Sequence, residues 1–318
     1  MKALIVGGSG FLGVALAQRL LQKGATVAVY DLARSPELPP AAEFIAGDIR
    51  DRDKLRSAAA GRDTVFNLVG IMPQARASDE VMRAVNVTGA ENALIAAAEA
   101  GARRLVFVSS SEIYGAPRTS PIGEDHPQTP IGEYGRNKVE AEALCQDYRR
   151  RTGLQVVILR PSTIVGPGIT EPTFVKGMKY SGWMPLCCVG PGDNRFQMVE
   201  LGDTAEACLL AAEKDGVDGE AFNLGAEGTL PFKRQLEELA KYLGRQPRVF
   251  CVPAGPFKAV MRLLTRLRLC PMEPDHYELA DADYVMDVRK AARMLGWRPT
   301  KTNLEMIHET YDWHRNHA

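Results

Sequence analysis

The sequence predicts a doubly wound α/β protein, a parallel sheet with helices on both faces, followed by a smaller C-terminal α/β lobe. Three observations carry that prediction. Short apolar runs recur through the first half: ALIV (3–6), TVAVY (26–30), EFIA (43–46), TVFNLVG (64–70), RLVFVSS (104–110) and QVVILR (155–160). They are continuous rather than alternating, the pattern of strands buried on both faces. Helical stretches at 11–22, 51–60, 79–100 and 134–151 separate them, and this alternation builds a parallel sheet.

The first strand leads into glycines at Gly7, Gly10 and Gly13, then an amphipathic helix that stops near Gly24. Such glycines allow a tight turn and close backbone approach to a pyrophosphate, which the helix N-terminus stabilises. The second run ends at Asp31, where a carboxylate accepts hydrogen bonds from an adenosine ribose and repels a 2′-phosphate. A Rossmann-type domain binding NAD in preference to NADP is therefore expected, with Arg34 the nearby cation that opposes the preference. Ligands in such sheets bind beyond the carboxyl ends of the strands. Asp48, Gly70 and Ser109 to Ser111 fall there as well.

GEYGRNKVEAEALCQDYRRR reads as a helix of good formers after the Pro/Gly-rich stretch ending at Gly132. Tyr134 and Lys138, four residues apart, share one face. The lysine is expected to lower the phenol's pKa toward neutrality, making Tyr134 a general acid or base.

After Arg160 the texture becomes loop-rich, in RPSTIVGPGITEPTF and MPLCCVGPGDNRF, with helices near 204–214, 232–243, 257–268 and 289–295. The expected division is a cofactor domain over 1–160 and a substrate-binding lobe over 161–318, with segments near 196–224 returning to the first domain. The 39 basic and 39 acidic residues balance, which argues against electrostatic nucleic-acid binding. No apolar stretch approaches membrane-spanning length, and the first strand begins at once without room for a signal peptide. A cytoplasmic protein is expected, with its six cysteines as thiols. Neither the cysteines nor the five histidines have metal-ligand spacing.

The ordered segments GGSGFLG (7–13), Asp31, GDI (47–49), NLVG (67–70), NVTGAENAL (86–94), VSSSEIYG (108–115), YGRNK (134–138), RPSTIVGPG (160–168) and LGWRP (295–299) resemble the extended short-chain dehydrogenase/reductase superfamily, the NAD-dependent epimerase/dehydratase group. The resemblance spans nearly the whole chain. It implies that Gly7, Gly10, Phe11, Leu12 and Gly13 contact the NAD pyrophosphate. Asp31 would hold the adenosine ribose, and Asp48 and Ile49 would flank the adenine. Leu68, Val69, Gly70 and Pro161 would line the cofactor. Ser110, Tyr134 and Lys138 would be catalytic, with Lys138 also bonding the nicotinamide ribose. Ser111, Glu112, Thr163 and Arg195 would meet the substrate, Arg195 on a nucleotide diphosphate. The superfamily also pairs helices corresponding to 79–100 and 134–151 across a two-fold axis, which implies a homodimer.

Two departures bear on function. NLVG is also found in non-catalytic, cofactor-binding members of the wider superfamily. Ser111 stands where many dehydratases carry an acid beside Glu112, which leaves a nucleotide-sugar epimerase or a related ketoreductase. An oxidoreductase for hydroxysteroid- or polyketide-type alcohols and ketones is the alternative. It is favoured by RPSTIVGPG and by the amphipathic stretch FKAVMRLLTRLRLC (257–270), readable as a lid, a core helix or a membrane-surface helix. An assembly or sensor protein that holds NAD without catalysis is the third reading, opposed by the intact Ser110, Tyr134 and Lys138.

Overall fold

The computed structural model describes residues 1–72, 75, 77–169, 184–267, 269–270, 272 and 274–317. Its centre is a seven-stranded parallel sheet with the order β10-β6-β5-β4-β1-β2-β3. These strands are β1 (Lys2–Val6), β2 (Thr26–Asp31), β3 (Glu43–Ala46), β4 (Thr64–Asn67), β5 (Arg104–Val108), β6 (Gln155–Pro161) and β10 (Ala221–Leu224). The order reverses at β1, which pairs with both β2 and β4, and that reversal places the crevice beyond the carboxyl ends of β1 and β4.

Continuous apolarity has a direct structural counterpart. Successive β1 residues serve opposite cores, Ala3 and Ile5 on one face, Leu4 and Val6 on the other, because strand side chains alternate. The first face is covered by α1 (Phe11–Gln22) and α6 (Leu201–Glu213), the second by α2 (Arg52–Ala59), α4 (Gly89–Glu99) and α5 (Glu133–Thr152). Leu16, Leu20 and Phe222 fill one core, and Leu55, Leu94 and Phe107 the other. Each fully buried side chain of this size contributes about 1.5–3 kcal/mol of transfer free energy.

The helix expected over 79–100 is not uniform. It starts as α3 (Asp79–Arg83), capped by Ser78, passes through a π turn at Ala84–Thr88 and continues as α4. The π turn carries Asn86, whose side chain bonds both the backbone N–H and the carbonyl of Ile71. Apolar periodicity cannot reveal one extra residue in a turn.

Beyond β6 the chain forms two small parallel ladders, β7 (Thr163–Val165) with β9 (Met198–Glu200), and β8 (Leu186–Val189) with β11 (Val249–Val252). Around them lie α7 (Phe232–Tyr242), α8 (Ala254–Arg266), α9 (Pro274–Glu278), α10 (Arg289–Met294) and α11 (Asn303–Asn316). Trp297 of the LGWRP segment is fully buried and donates its indole N–H to the Asp203 carbonyl, 2.7 Å away, tying the C-terminal region to α6. The stretch expected as a helix over 257–268 starts earlier, at Ala254. Its last expected residue, Arg268, lies outside the described residues. Cys188 and Cys251 face each other across the β8–β11 ladder as free thiols, with their Sγ atoms 2.8 Å apart.

Candidate active site

Parallel register brings the site together. Val6 pairs with Asn67, Asn67 with Phe107, and Phe107 with Ile158. The segments that follow these residues, Gly7–Gly13, Leu68–Gly70, Ser109–Glu112 and Pro161, therefore emerge side by side.

In the first segment Gly7 adopts φ 82°, the left-handed region, and donates its N–H to the Tyr30 carbonyl at 2.9 Å. A Cβ on Gly13 would lie 2.4 Å from the Gly8 Cα, so the turn and α1 pack backbone to backbone. Gly10 caps α1 without any side-chain hydrogen bond, and the first turn holds no acid. Such a helix end offers its N–H groups and positive dipole to an anion. Asp31 ends β2 with its carboxylate fixed by the backbone N–H groups of Ser9 (2.9 Å) and Leu32 (2.7 Å). A carboxylate held by two amides retains acceptor capacity for ribose hydroxyls. These features fit the adenosine diphosphate portion of NAD.

Arg34 turns away from that acid. Its guanidinium bonds the carbonyls of Pro39 and Ala42 and lies over the Phe44 ring, 5.9 Å from the centroid. Asp48 makes a forked ion pair with Arg50, which holds its carboxyl below the usual range. Ile49 is buried, and its carbonyl accepts from Asn92 of α4.

The third cluster lies at the start of α5. Tyr134 and Lys138 are both buried on the same face of that helix. The Lys138 Nζ donates to the carbonyls of Val108 (2.9 Å) and Val69 (3.3 Å), which bridges the ends of β5 and β4. It also sits 4.9 Å from the Phe107 ring centroid and 5.7 Å from that of Tyr134. A Cβ on Gly70 would come within 3.3 Å of the same Nζ, so the glycine keeps the backbone close to the ammonium. Ser110 accepts the Glu112 N–H at 3.2 Å as the cap of a 3₁₀ turn over Ser111–Tyr114, and its hydroxyl hydrogen-bonds the Tyr134 phenol.

The electrostatics correct one expectation. Burial pushes the Tyr134 pKa well above its ordinary value; the nearby Glu112 charge adds to the rise, and only the Ser110 hydrogen bond opposes it. Lys138 does not depress it. The ammonium is spent on two carbonyls and is itself held down at about 8 by burial. Spacing placed the pair on one face but carried no information about desolvation, which decides the sign here.

Among the other expected residues, Pro161 closes β6 opposite Leu224 and is buried. The Ser111 carbonyl accepts the Tyr284 hydroxyl at 2.5 Å. Thr163 is exposed at the start of β7, paired with Met198. Arg195 is engaged in a fork with Asp283 (Nε–Oδ1 2.9 Å, Nη2–Oδ2 2.5 Å) and reaches Ser120. It lines an open cleft of about 280 Å³ with Gln197, Gly228 and Arg289, and Ser110, Tyr134 and Lys138 do not line that cleft.

Two supporting elements escaped sequence reasoning. Asn86 clamps the Ile71 backbone and so fixes the loop whose Val69 carbonyl receives Lys138. Its motif was visible, but the role depends on the π turn. Behind Ser110 a buried network joins Glu142, Arg160, Tyr114 and Asn223, residues scattered too widely in sequence to be grouped by spacing.

Residues 3–225 match the model of the NAD dependent epimerase/dehydratase family. An uncharacterized protein of Sinorhizobium fredii is 32% identical over 313 residues, covering 98% of this chain and 78% of that protein. A UDP-glucose 4-epimerase of Streptomyces lividans is 26% identical, with 99% of this chain and 97% of the relative covered. Among solved structures, UDP-glucose 4-epimerase of Thermotoga maritima with UDP-glucose superimposes with a TM-score of 0.82 at 23% identity, covering 100% of this chain and 99% of that one. That likeness shows the fold.

Proposed function

The chain belongs to the NAD-dependent epimerase/dehydratase family, and on that premise we propose that it is an epimerase of a nucleotide-linked sugar. The observation that carries the reading is the contact set of half-buried Ser110 with buried Tyr134 and Lys138, beside the glycine turn and Asp31. A sensor that only holds NAD has no need of a hydrogen-bonded phenol there. NAD held by this chain would supply a hydride acceptor and donor.

The remaining chemistry belongs to the protein. Gly7, Gly10 and Gly13, with Phe11 and Leu12 at the α1 N-terminus, are assigned to the pyrophosphate, Asp31 to the adenosine ribose, and Asp48 and Ile49 to the adenine edge. Leu68, Val69, Gly70 and Pro161 line the cofactor. Tyr134, kept protonated by burial, donates its proton to the substrate oxygen in the reducing direction and receives it in the oxidising one. Ser110 donates a hydrogen bond to the developing oxyanion. Lys138 orients the nicotinamide ribose from its seat between β4 and β5. Ser111, Glu112 and Thr163 are assigned to the sugar. Arg195 is assigned to the diphosphate, with Asp283 fixing its guanidinium plane and Nη1 bonded to none of the described residues.

The same reading places the cofactor domain in residues 1–160, with segments near 196–224 returning to it, and the substrate lobe in the rest of 161–318. Support for the return comes from β10, an edge strand of the main sheet. It also makes the protein a cytoplasmic homodimer, paired through α3–α4 and α5. Among the described residues no helix is long and apolar enough to cross a membrane. Native mass spectrometry with UDP-, GDP- and dTDP-sugars tests the function. Retained NAD together with a bound nucleotide sugar is expected, and Arg195→Ala should weaken the sugar nucleotide by ~1.5–3 kcal/mol, the range for hydrogen bonds to charged groups, with NAD retained. If no nucleotide diphosphate binds at millimolar concentration, the reading fails and the alcohol or ketone oxidoreductase takes its place.

A further inference from the structure

The most unusual surface of the molecule is the segment from β11 through α8. An amphipathic helix that covers a core needs one apolar stripe. The inner side of α8 supplies it: Phe257, Met261 and Leu264 are half-buried. Arg262 forks onto Glu278 (2.6 and 2.7 Å) and Lys258 pairs with Asp281, fixing the helix to α9 and the loop after it. The helix has a second apolar stripe, however. Val260, Leu263 and Leu267, at intervals of three and four, lie on its outer side, with Leu263 57% and Leu267 56% exposed. Phe250 on the preceding strand is 58% exposed, and Val252 and Leu269 are exposed as well. No residue of α8 is buried.

Charge distinguishes this stripe from a generic sticky patch. From Lys241 to Cys270 the chain has seven basic residues and no acidic one, and Lys241, Lys258 and Arg262 pair with Glu238, Asp281 and Glu278 from outside the segment. Arg248 and Arg266 are exposed, and neither makes an ion pair with another described residue. An exposed leucine and valine stripe flanked by unopposed guanidinium groups matches the boundary of an anionic bilayer. There, apolar side chains enter the acyl region while cations remain at the phosphates.

We propose that α8 and the edge of β11 dock the protein peripherally on an anionic phospholipid surface. This inference stands apart from the substrate assignment, because no residue of the candidate site lies in α8 or β11.

Flotation of the full chain with vesicles of phosphatidylcholine, with and without phosphatidylglycerol, tests it. Binding is expected to the anionic vesicles, weaker on neutral ones and reduced by salt. Leu263→Asp with Leu267→Asp should lower partitioning more than about tenfold, since two leucines are kept out of the acyl boundary. Arg266→Glu should lower it on anionic vesicles only. Both variants sit on the surface, and unchanged circular dichroism and NAD binding would establish that they fold. Absence of wild-type binding at low salt, or equal binding by the double variant, would overturn the proposal. So would sedimentation showing that the variants disrupt self-association while vesicle binding is unaffected.

Discussion

Two regions of this molecule reverse the usual sorting of side chains, in opposite directions. Around α5 a lysine, a tyrosine and an Arg160–Glu142 pair are buried, each with hydrogen bonds that account for its presence. Along α8 Val260, Leu263 and the capping Leu267 lie in solvent while the same helix already has an inner face. Burying polar groups costs free energy unless they are paired, and exposing apolar ones forgoes transfer free energy. Neither arrangement serves stability best. Each marks a place where the surface or interior is shaped for something else: chemistry at α5, docking at α8.

The largest effect expected from breaking this contrast is catalytic. Tyr134→Phe keeps the ring volume and removes the proton carrier, so turnover of the cognate substrate should fall ~10²–10⁴-fold with NAD affinity little changed. Steady-state kinetics beside an NADH titration check both halves. Next comes the buried pair. Glu142→Ala strands the Arg160 guanidinium, which also bonds Tyr114 and the Glu124 carbonyl. Removing one partner of such a pair costs about 3–5 kcal/mol, readable as a shift of the urea midpoint.

Much of this contrast is legible in the sequence, and the illegible part has physical causes. The glycine turn, Asp31 and the alternation of strands and helices follow from local patterns, because a parallel sheet demands continuous apolar runs and a fixed place for its ligand. The seat of Lys138 between two carbonyls does not, since it depends on register between β4 and β5. Nor does the sign of the Tyr134 shift, set by burial. The 257–268 stretch read as amphipathic, but its two apolar faces are told apart only by what packs against them.

A smaller effect concerns Lys138 and pH. Burial holds its pKa at about 8 against an ordinary 10.5. The unfolded chain therefore binds more protons between those values, and this group makes stability rise with pH across that window, its cost being fully present below about 8. Lys138→Met should flatten the slope, as denaturation at a series of pH values between 7.5 and 10 would show. The smallest effect belongs to α8. Leu263→Asp should alter global stability by no more than about 0.5 kcal/mol, the usual range for surface positions. A loss of several kcal/mol would mean that the outer stripe is structural, and the contrast between the two regions would fail.

An epimerase of this kind oxidises a sugar and then reduces it again at the same carbon. The direct measurement is product formation by protein purified with its own NAD and supplied with the nucleotide sugar found to bind, without added cofactor. Many turnovers to an epimeric mixture are expected, with no net growth of absorbance at 340 nm. Product that stops at one equivalent per bound NAD, with matching NADH, would contradict the epimerase reading.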